Sequence, residues 1–186
     1  MADASGVPRV YHGPGMAATA RVRAELPGSL RQLGVRRLLD VPCGDFHRML
    51  RVDLAGIDYI GGDIIAAIVA ENQARYSGDG RRFVHVALTT GMLPAADAVL
   101  CRDCLVHLSF ANIVRAYRSV WESGARYLIA TTFPRHAHNV DVIDGDWRPL
   151  NLDRAPFFLP PPRTLLVEGC DEQGGRTPTS RSPGGT

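Results

Sequence analysis

The sequence predicts an α/β fold in which helices cover both faces of a mostly parallel sheet. Three observations support this fold class. First, segments of strand length alternate along the chain with helical patterns. Second, these segments carry apolar residues at successive positions and not at every other one. Third, several of them end in an acidic residue. Strands buried on both faces read as continuous apolar runs, and their alternation with helices is typical of a parallel sheet in a three-layer sandwich.

The length of 186 residues and a hydrophobic content of 45% suit one domain, which we place at residues 1–172. A net charge of +2, with dispersed arginines, does not favour a nucleic-acid or membrane surface. No apolar stretch approaches the roughly 20 residues that span a bilayer, and the first residues lack a signal-peptide pattern. We therefore expect a cytoplasmic protein, and the use of arginine without lysine indicates a GC-rich bacterial genome.

The elements follow in order along the chain. A helix is predicted at 16–26, and Pro27 and Gly28 are expected to end it before a short helix capped by Ser29 runs to Leu33. The predicted strands are 36–41, 58–63, 81–88, 96–102, 126–133 and 163–172. A short helix or turn is expected at 46–54, and helices at 64–76 and 109–124, the last capped by Ser109.

Two of these helices carry a predicted buried face. In the helix at 64–76 the face consists of Ile64, Ile65, Ile68 and Val69. In the helix at 109–124 a stripe of period 3.6 consists of Phe110, Ile113, Tyr117, Val120 and Trp121.

Acidic residues stand at the ends of three predicted strands: Asp40, Asp63 and Asp103. In parallel sheets, ligands bind at the carboxyl ends of the strands, where the topology reverses. Burying an unpaired carboxylate costs several kcal/mol. A strand that is buried on both faces therefore gains nothing in stability from such a residue. The three acids therefore indicate one shared polar ligand at this edge.

The turn after the first strand indicates which ligand that is. It lacks the G-x-G-x-x-G pattern that cradles a dinucleotide pyrophosphate, which argues against a nicotinamide enzyme. Asp63 is placed to accept both hydroxyls of a ribose, and Gly44 lets the backbone approach a ligand closely. The alternative for such an acid is a strand-terminating carboxylate satisfied by backbone N–H groups.

The ordered series "LLDVPCGDF", "YIGGDI", "ADAVLCRDCLVHLSF" and "YLIATTF" resembles the class I S-adenosylmethionine-dependent methyltransferases over roughly residues 26–170. The resemblance implies a Rossmann-like sheet and S-adenosylmethionine as the cofactor. It implies that Asp40 and Gly44 lie under the methionyl amino and carboxylate groups, and that Asp63 holds the ribose. The other residues expected at the cofactor are Pro42, Cys43, Asp45, Ile64, Leu88 and Arg102.

The chain departs from the pattern of that family at two positions. Phe46 stands where the first motif often has a third glycine, and Ala87 stands where an acid often meets the adenine amine. We therefore expect adenine to contact backbone near Leu88 instead.

The segment "CRDCLVHLSF" contains the candidate catalytic residues Asp103 and His107. Asp103 is expected to face the substrate or to pair with Arg102. His107 could take a proton from a hydroxyl or amine, because histidine is the side chain that most often acts as a general base; alternatively it is a helix-start histidine bonded to backbone. Cys101 and Cys104 have zinc-knuckle spacing without further ligands, so we interpret them as reduced, small apolar residues and expect no metal.

The region 135–162 is rich in proline and aromatic residues and corresponds to the place where the family builds its acceptor site. Arg148, Asn151 and Trp147 are candidates to orient a polar acceptor; the alternative is a packed loop without substrate contact. We expect a methyltransferase for the oxygen or nitrogen of a small molecule or natural product. The rival hypothesis is an inactive methyltransferase-like domain that binds a nucleoside ligand or a partner protein.

The composition of residues 173–186 predicts a disordered tail. The seventh strand of the family is therefore expected to be missing. An unpaired sheet edge would then remain, through which the chain could associate with another.

Overall fold

The computed structural model describes residues 16–166. The helices are α1 (Met16–Gln32), α2 (Ala66–Tyr76) and α3 (Phe110–Glu122). The strands are β1 (Arg37–Asp40), β2 (Asp58–Asp63), β3 (Arg81–His85), β4 (Ala98–Cys101) and β5 (Tyr127–Ala130). Short 3₁₀ turns occupy Met49–Arg51 and Leu105–His107.

The five strands form one sheet in the order β3-β2-β1-β4-β5, and every neighbouring pair is parallel. The chain builds the sheet outward from β1 to β3, then returns to place β4 on the other side of β1. The topology therefore reverses between β1 and β4, and the predicted parallel α/β sheet is confirmed.

Two apolar cores lie on opposite faces of the sheet, which gives the three layers. On one face, Leu38 and Tyr59 pack with residues of α1 and α2, including Leu30 and Val69. On the other face the core is formed by β-strand residues, α3 and two leucines of the later loop; its fully buried members include Leu39, Val99, Ile113 and Leu150. Successive strand residues point to opposite faces, which explains why the strand sequences are apolar without alternation.

The prediction of two helices before β1 is wrong. α1 is one helix with Pro27 inside it, and the Ser29 hydroxyl donates to the Glu25 carbonyl at 3.2 Å instead of capping a new helix. A proline removes one helical N–H donor. Leu26 and Leu30, at 1% and 0% exposure, flank the proline and anchor both halves of the helix to the core, so the helix continues.

The predicted buried faces of the later helices are correct only in part. Ile64 and Ile65 precede α2 and are 65% and 51% exposed, while Val69 is buried. In α3, Ile113 and Val120 are buried as expected, but Trp121 is 83% exposed. Small residues complete the buried face of α3 instead, namely Ala116 and Ser119. Ser109 is the N-cap, as predicted, and accepts from the Asn112 N–H at 3.4 Å.

The sixth strand is not formed where its predicted range is described, because Arg163–Leu166 have no strand geometry. The rest of that range, the predicted tail at 173–186 and the predicted loss of a seventh strand all lie outside the described residues. β5 is at the edge of the described sheet, and all four of its residues are partly exposed. No helix in residues 16–166 is long and apolar enough to cross a membrane.

Candidate functional site

The turn after β1 joins the ends of three strands. Asp40 lies opposite Gly61 of β2 and Leu100 of β4. Beyond it, the Val41 N–H donates to the Leu100 carbonyl at 2.9 Å, and the Cys43 N–H donates to the Gly62 carbonyl at 2.8 Å. These bonds extend the sheet past β1, so the ends of the three strands meet at the point where the topology reverses.

Asp40 is a buried acid with one buried donor. It is 4% exposed, and the hydroxyl of Tyr59 donates to its Oδ2 at 2.6 Å. Burial raises the pKa of Asp40 to about 7, although this hydrogen bond and the charges of Arg102 and Arg48 oppose the rise. Burial and the neighbouring Asp40 also raise the pKa of Tyr59, which keeps it a neutral donor. The sequence offered one unused signal for this pair, because a tyrosine inside an apolar strand needs a hydrogen-bond partner.

Asp63 is also buried, but backbone groups engage it. Its Oδ2 accepts from the Gly44 N–H at 3.1 Å and its Oδ1 from the Ile65 N–H at 2.9 Å. This is the arrangement of the alternative interpretation, a strand-terminating acid satisfied by backbone. Each carboxylate oxygen has two lone-pair sites, so capacity for further hydrogen bonds remains. The role at a ribose therefore stays a prediction.

Gly44 has a positive φ of 55°, which favours glycine. A Cβ built on it would meet no described atom within 4 Å, so the space beside this backbone is open. The Gly44 carbonyl accepts from the Asn72 amide at 2.7 Å, and Asn72 is 2% exposed. Asn72 thus fixes the turn from α2, a contact that sequence reasoning missed because 28 residues separate the two.

The other predicted residues of this turn differ in exposure. Pro42 and Asp45 are exposed, and Asp45 accepts from the His47 N–H at 3.1 Å. Cys43 is partly buried, and burial, reinforced by the charge of Asp40, raises the pKa of its thiol to about 12. The thiol therefore stays protonated at neutral pH.

Phe46, at the position of the expected third glycine, adopts the backbone conformation of a glycine. Its φ is 59°, while its ring is 1% exposed and lies 5.0 Å from Tyr59, 5.2 Å from Tyr76 and 5.1 Å from Phe83, between ring centroids. The left-handed conformation costs about 1–2 kcal/mol, which burial of an aromatic ring of this size offsets. The turn therefore keeps its shape without the glycine.

The two glycines of β2 serve packing. A Cβ on Gly61 would lie 2.5 Å from the ring of Phe83, and a Cβ on Gly62 would lie 2.7 Å from a methyl carbon of Val86. Real Cβ atoms do not approach other atoms so closely. The pair "GG" thus lets the side chains of Phe83 and Val86 pack closely against the backbone of β2.

Two of the residues expected at the cofactor, Ile64 and Leu88, differ in exposure. Ile64, directly after Asp63, is 65% exposed at the strand end, and its carbonyl lies 2.9 Å from Nε2 of His85. Leu88 is 7% exposed and packs in the core. The exposed apolar surface here is therefore that of Ile64, whereas any role of Leu88 is restricted to its backbone.

Asp103 forms the ion pair that the sequence left as one of its alternatives. Its Oδ2 lies 3.7 Å from Nη2 of Arg102 and 3.7 Å from Nη1 of Arg48. Its N–H donates to Thr131 Oγ1 at 2.9 Å, and that hydroxyl donates back to Oδ1 at 3.2 Å. Asp103 also has a positive φ of 51°. Arg48 was not singled out from the sequence, since nothing local links it to β4.

His107 lies against the later loop. Its Nδ1 is 3.2 Å from the carbonyl oxygen of Asp146, and its own carbonyl accepts from the Gly145 N–H at 2.8 Å. With Nδ1–H as the donor, the lone pair of the neutral ring is on Nε2. This geometry is that of the alternative, a histidine bonded to backbone, and catalysis by His107 stays a prediction.

The loop at 133–159, here called the strap, is bound to the start of α3 by two acids. Oδ1 of Asp141 accepts from the Phe110 N–H at 2.7 Å, and Oδ1 of Asp144 accepts from the Ser109 N–H at 2.6 Å. The hydrogen bond from the Ser109 N–H lowers the pKa of Asp144. Acidic groups are stabilising at a helix N-terminus, so the strap provides the acids that the first turn of α3 lacks.

The strap candidates for acceptor binding are largely engaged inside the protein. Arg148 is 5% exposed and donates to the carbonyls of Leu105 at 3.0 Å, Leu108 at 2.7 Å and Val140 at 3.1 Å. Desolvation lowers the pKa of Arg148. This geometry favours the packed-loop alternative for Arg148.

Asn151, which is 1% exposed, is engaged in the same way. Its amide donates to the carbonyls of Pro134 at 3.1 Å and His136 at 2.8 Å. Asn139, which sequence reasoning missed, bonds both the N–H and the carbonyl of Asn151 at 2.8 Å. Trp147 is 39% exposed and packs edge-on against Phe133, so only this predicted residue presents a ring to the surface.

The described residues contain no group of three or more His, Cys, Asp or Glu side chains that could hold a metal ion. Cys101 is buried and Cys104 is partly buried, and neither is in a disulfide. A groove of about 390 Å³ lies at the opposite edge of the sheet, between the 3₁₀ turn Met49–Arg51 and the starts of β2 and β3. None of the three strand-end acids lines it, although Phe46 of the turn after β1 does.

Comparison with solved structures supports the fold. The methyltransferase domain of bacterial CtHen1 matches in two crystal structures. One has a TM-score of 0.53 and 12% identity, over 62% of this chain and 66% of that one. The other has a TM-score of 0.51 and 12% identity, over 59% and 63%. The predicted Rossmann-like methyltransferase fold is thereby confirmed, and this chain spans less than two thirds of each matched chain.

No family model matches the sequence, and no curated protein matches it at a significant level.

Proposed function

We propose that this protein is an S-adenosylmethionine-dependent methyltransferase. The observation that supports this most is the meeting of Asp40, Asp63 and the open backbone of Gly44 at the topological reversal of a methyltransferase fold. Ligands of such sheets bind at this point. Acids in place of phosphate-binding glycines fit a ligand with a cationic head and free ribose hydroxyls.

The residues present fit this cofactor. A buried carboxyl whose pKa is raised to about 7 gains most from a cation beside it, and Asp40 would meet the methionyl ammonium. Asp63 would accept from the ribose with its remaining lone pairs, and the exposed Ile64 would cover one face of adenine. When bound, the cofactor supplies a methyl group on a sulfonium. The protein would contribute mainly alignment, which can lower a barrier by up to about 7–11 kcal/mol.

For the acceptor we propose a small molecule or natural product that is methylated at oxygen or nitrogen. The strap offers support, because Val140 and Ile143 are 66% and 80% exposed on the segment that is bonded to His107 and α3. Trp147 adds a partly exposed ring to the same segment. An apolar rim of this kind suits an acceptor with an apolar body.

Titration calorimetry tests the cofactor. We expect a measurable heat of binding for S-adenosylmethionine and for S-adenosylhomocysteine. We expect no heat of binding for nicotinamide dinucleotides. No binding at millimolar S-adenosylmethionine would exclude the proposed function. Mass spectrometry of a metabolite extract incubated with the protein and methyl-labelled cofactor would then identify the acceptor.

His107→Ala tests the proposed base. If His107 takes the acceptor proton, turnover should fall by roughly 10²–10⁴-fold while cofactor affinity stays within about twofold. His107→Gln is the matched control, because its amide can keep a hydrogen bond to the Asp146 carbonyl without acting as a base at neutral pH. Full turnover in both variants would assign His107 to the structure alone.

The second candidate is a methyltransferase-like domain that binds a nucleoside or a partner protein without catalysis. It is favoured by the internal bonding of Arg148 and Asn151, because these are two of the three residues that were expected to orient an acceptor. Cofactor binding without label transfer to any metabolite would support this candidate over the enzyme.

A further inference from the structure

Two free cysteines lie together where the chain leaves β4. Cys101 is the last residue of β4, and Cys104 is the N-cap of the 3₁₀ turn that follows. Asp103 between them has a positive φ of 51°, which turns the chain back on itself. Cys101, at 1% exposure, belongs to the apolar core, and the partly exposed Cys104 packs against that core. The two thiols are hydrogen-bonded to each other.

Hydrogen bonds hold the turn in the shape that brings the thiols together. The Asp103 N–H donates to Thr131 Oγ1 at 2.9 Å, and the hydroxyl donates back at 3.2 Å. The Cys104 carbonyl accepts from the His107 N–H at 2.9 Å. Spacing of the type Cys-x-x-Cys is that of thiol pairs that proteins oxidise and reduce. A disulfide would need only that two sulfur atoms already in contact approach to a bond length of about 2.0 Å.

The two thiols differ in access and in acidity. The hydrogen bond with Cys104 and burial raise the pKa of the Cys101 thiol well above its ordinary value, so this thiol keeps its proton. It is also shielded from solvent, whereas Cys104 is partly exposed. An oxidant from solution therefore meets Cys104 first. Cys101 is placed to react with Cys104 afterwards, as the second cysteine of a redox pair does.

Tyr117 provides a buried hydroxyl beside this pair. Its side chain packs against the core that contains Cys101, and its Oη is buried without a hydrogen-bond partner among the described residues. Burial raises the pKa of Tyr117, and the charge that Cys101 would carry without its proton adds to the rise. The hydroxyl therefore stays a neutral donor near that sulfur. A buried hydroxyl without a partner is rare, and a donor for a sulfur that loses its proton would account for it.

We propose that Cys101 and Cys104 form a reversible disulfide when the protein meets a peroxide. The sulfur of Cys104 attacks one peroxide oxygen and the O–O bond breaks. Cys104 becomes a sulfenic acid, and the other oxygen leaves with the thiol proton as water or an alcohol. The sulfur of Cys101 then attacks that of Cys104, with the Tyr117 hydroxyl donating to it as its proton leaves. The S–O bond breaks, and the departing hydroxide takes the proton of Cys101 and becomes water.

In this sequence the two thiols lose two electrons, which reduce the peroxide, and a dithiol reductant reverses the change by thiol–disulfide exchange. The inference goes beyond the proposed function and does not depend on it.

Trypsin provides the test, because it cuts after Arg102, between the two cysteines. The unaltered protein is treated with hydrogen peroxide, remaining thiols are blocked with N-ethylmaleimide, and the tryptic peptides are analysed by mass spectrometry. We expect the peptide that ends at Arg102 to be joined to the peptide that begins at Asp103. Dithiothreitol should separate them, and a non-reducing gel should show a monomer. Oxidation of Cys104 only to sulfinic or sulfonic acid, no oxidation of Cys104, or joining only in a covalent dimer would overturn the inference.

Cys101→Ala and Cys104→Ala are a matched pair of variants that tests the order of attack. Dimedone, which labels sulfenic acids, should label Cys104 in Cys101→Ala and should not label Cys101 in Cys104→Ala. Cys43 is the internal control in both, since burial raises the pKa of its thiol to about 12 and it should stay unlabelled. Labelling of Cys101 without labelling of Cys104 would overturn the inference.

Tyr117→Phe tests the proton step. It removes only the hydroxyl, and formation of the joined peptides should become slower by about tenfold, because a donor to the charged sulfur is lost. An unchanged rate would overturn the part given to Tyr117.

Discussion

At the ends of β1 and β2, buried carboxylates lie under a turn whose open side faces a space with no described atom near Gly44. In the strap, buried polar side chains are turned inward, and Arg148 alone reaches three carbonyls. The first region holds charge with incomplete compensation, while the second is internally satisfied. This difference is the one expected if the turn receives a ligand, as proposed above, while the strap keeps its own shape.

This contrast gives opposite expectations for stability and binding. Removing the charge of Asp40 at the turn should stabilise the ligand-free protein at neutral pH and weaken the binding of the proposed ligand. Removing a charge in the strap should destabilise the fold and leave the affinity of the folded protein unchanged.

Asp40→Asn is expected to have the largest effect, on the pH dependence of stability. The folded pKa is raised to about 7 from 3.8, so the contribution of this group is fully present below pH 4 and is lost as pH rises through 7. The loss amounts to roughly 4 kcal/mol at most. Urea unfolding of the ligand-free protein between pH 4.5 and 8 should show this loss in the parent and not in the variant.

Asp45→Asn provides the control for that measurement, because Asp45 is exposed in the same turn. Its pH profile should follow that of the parent. Parallel profiles for the parent and Asp40→Asn would mean that Asp40 is not held in a destabilising environment, and the proposed cation site would lose its main support. Asp40→Asn should also bind S-adenosylmethionine more weakly than the parent does.

Arg148→Met tests the other side of the contrast. It keeps an unbranched, flexible side chain but leaves three backbone carbonyls without their donor, which should lower the free energy of unfolding by about 3 kcal/mol. Arg154→Met, at an exposed position of the strap, should change it by less than about 0.5 kcal/mol. If Arg148→Met were as stable as the parent and lost acceptor turnover, the packed-loop interpretation would be wrong.

Asp63→Ala should affect both quantities, because Asp63 belongs to the turn and is also satisfied by backbone. Loss of ribose contacts should weaken cofactor affinity by about 1.5–3 kcal/mol, or roughly ten- to a hundredfold. The N–H groups of Gly44 and Ile65 also lose their acceptor, so some loss of stability should accompany it. Calorimetry and urea unfolding of Asp63→Ala measure the two effects separately, and unchanged affinity would remove Asp63 from the cofactor site.

Trp121→Gln should have the smallest effect. The sequence predicts Trp121 in the buried stripe of α3, whereas the structure leaves it 83% exposed. Replacement should change the free energy of unfolding by less than about 0.5 kcal/mol. A loss of 2 kcal/mol or more in thermal or urea unfolding would indicate that the indole is covered in solution.

The same contrast explains what the sequence could reveal. The end of β1 was predictable because an acid after a buried strand, followed by a glycine turn, is a local pattern with a local cause. The partners that complete the site were not, since Tyr59 and Asn72 reach the turn from 19 and 28 residues away. In the strap, the residue types alone could not distinguish an arginine that meets a substrate from one that bonds to carbonyls 40 and 43 residues earlier.

α1 and α3 show the limits of local rules more directly. Pro27 reads as a helix end because it lacks one donor, but flanking leucines in the core outweigh that single bond. The 3.6-residue period placed Trp121 on the inner face, whereas the sheet accommodates small side chains there, Ala116 and Ser119. Packing of the partner surface decided both outcomes, and that surface is assembled from distant segments.

Phe46 connects the turn of the proposed binding site to the interior in a way that a glycine would not. With a glycine, the turn could change its backbone angles independently of the rest of the molecule. Here the same angles are held by a ring wedged among Tyr59, Tyr76 and Phe83, one of which also donates to Asp40. Temperature or mutations that loosen those rings should therefore be felt first as weaker ligand affinity, at a distance from any residue that touches the ligand. The packing of these aromatic rings therefore holds the backbone of the turn in its shape from inside the protein.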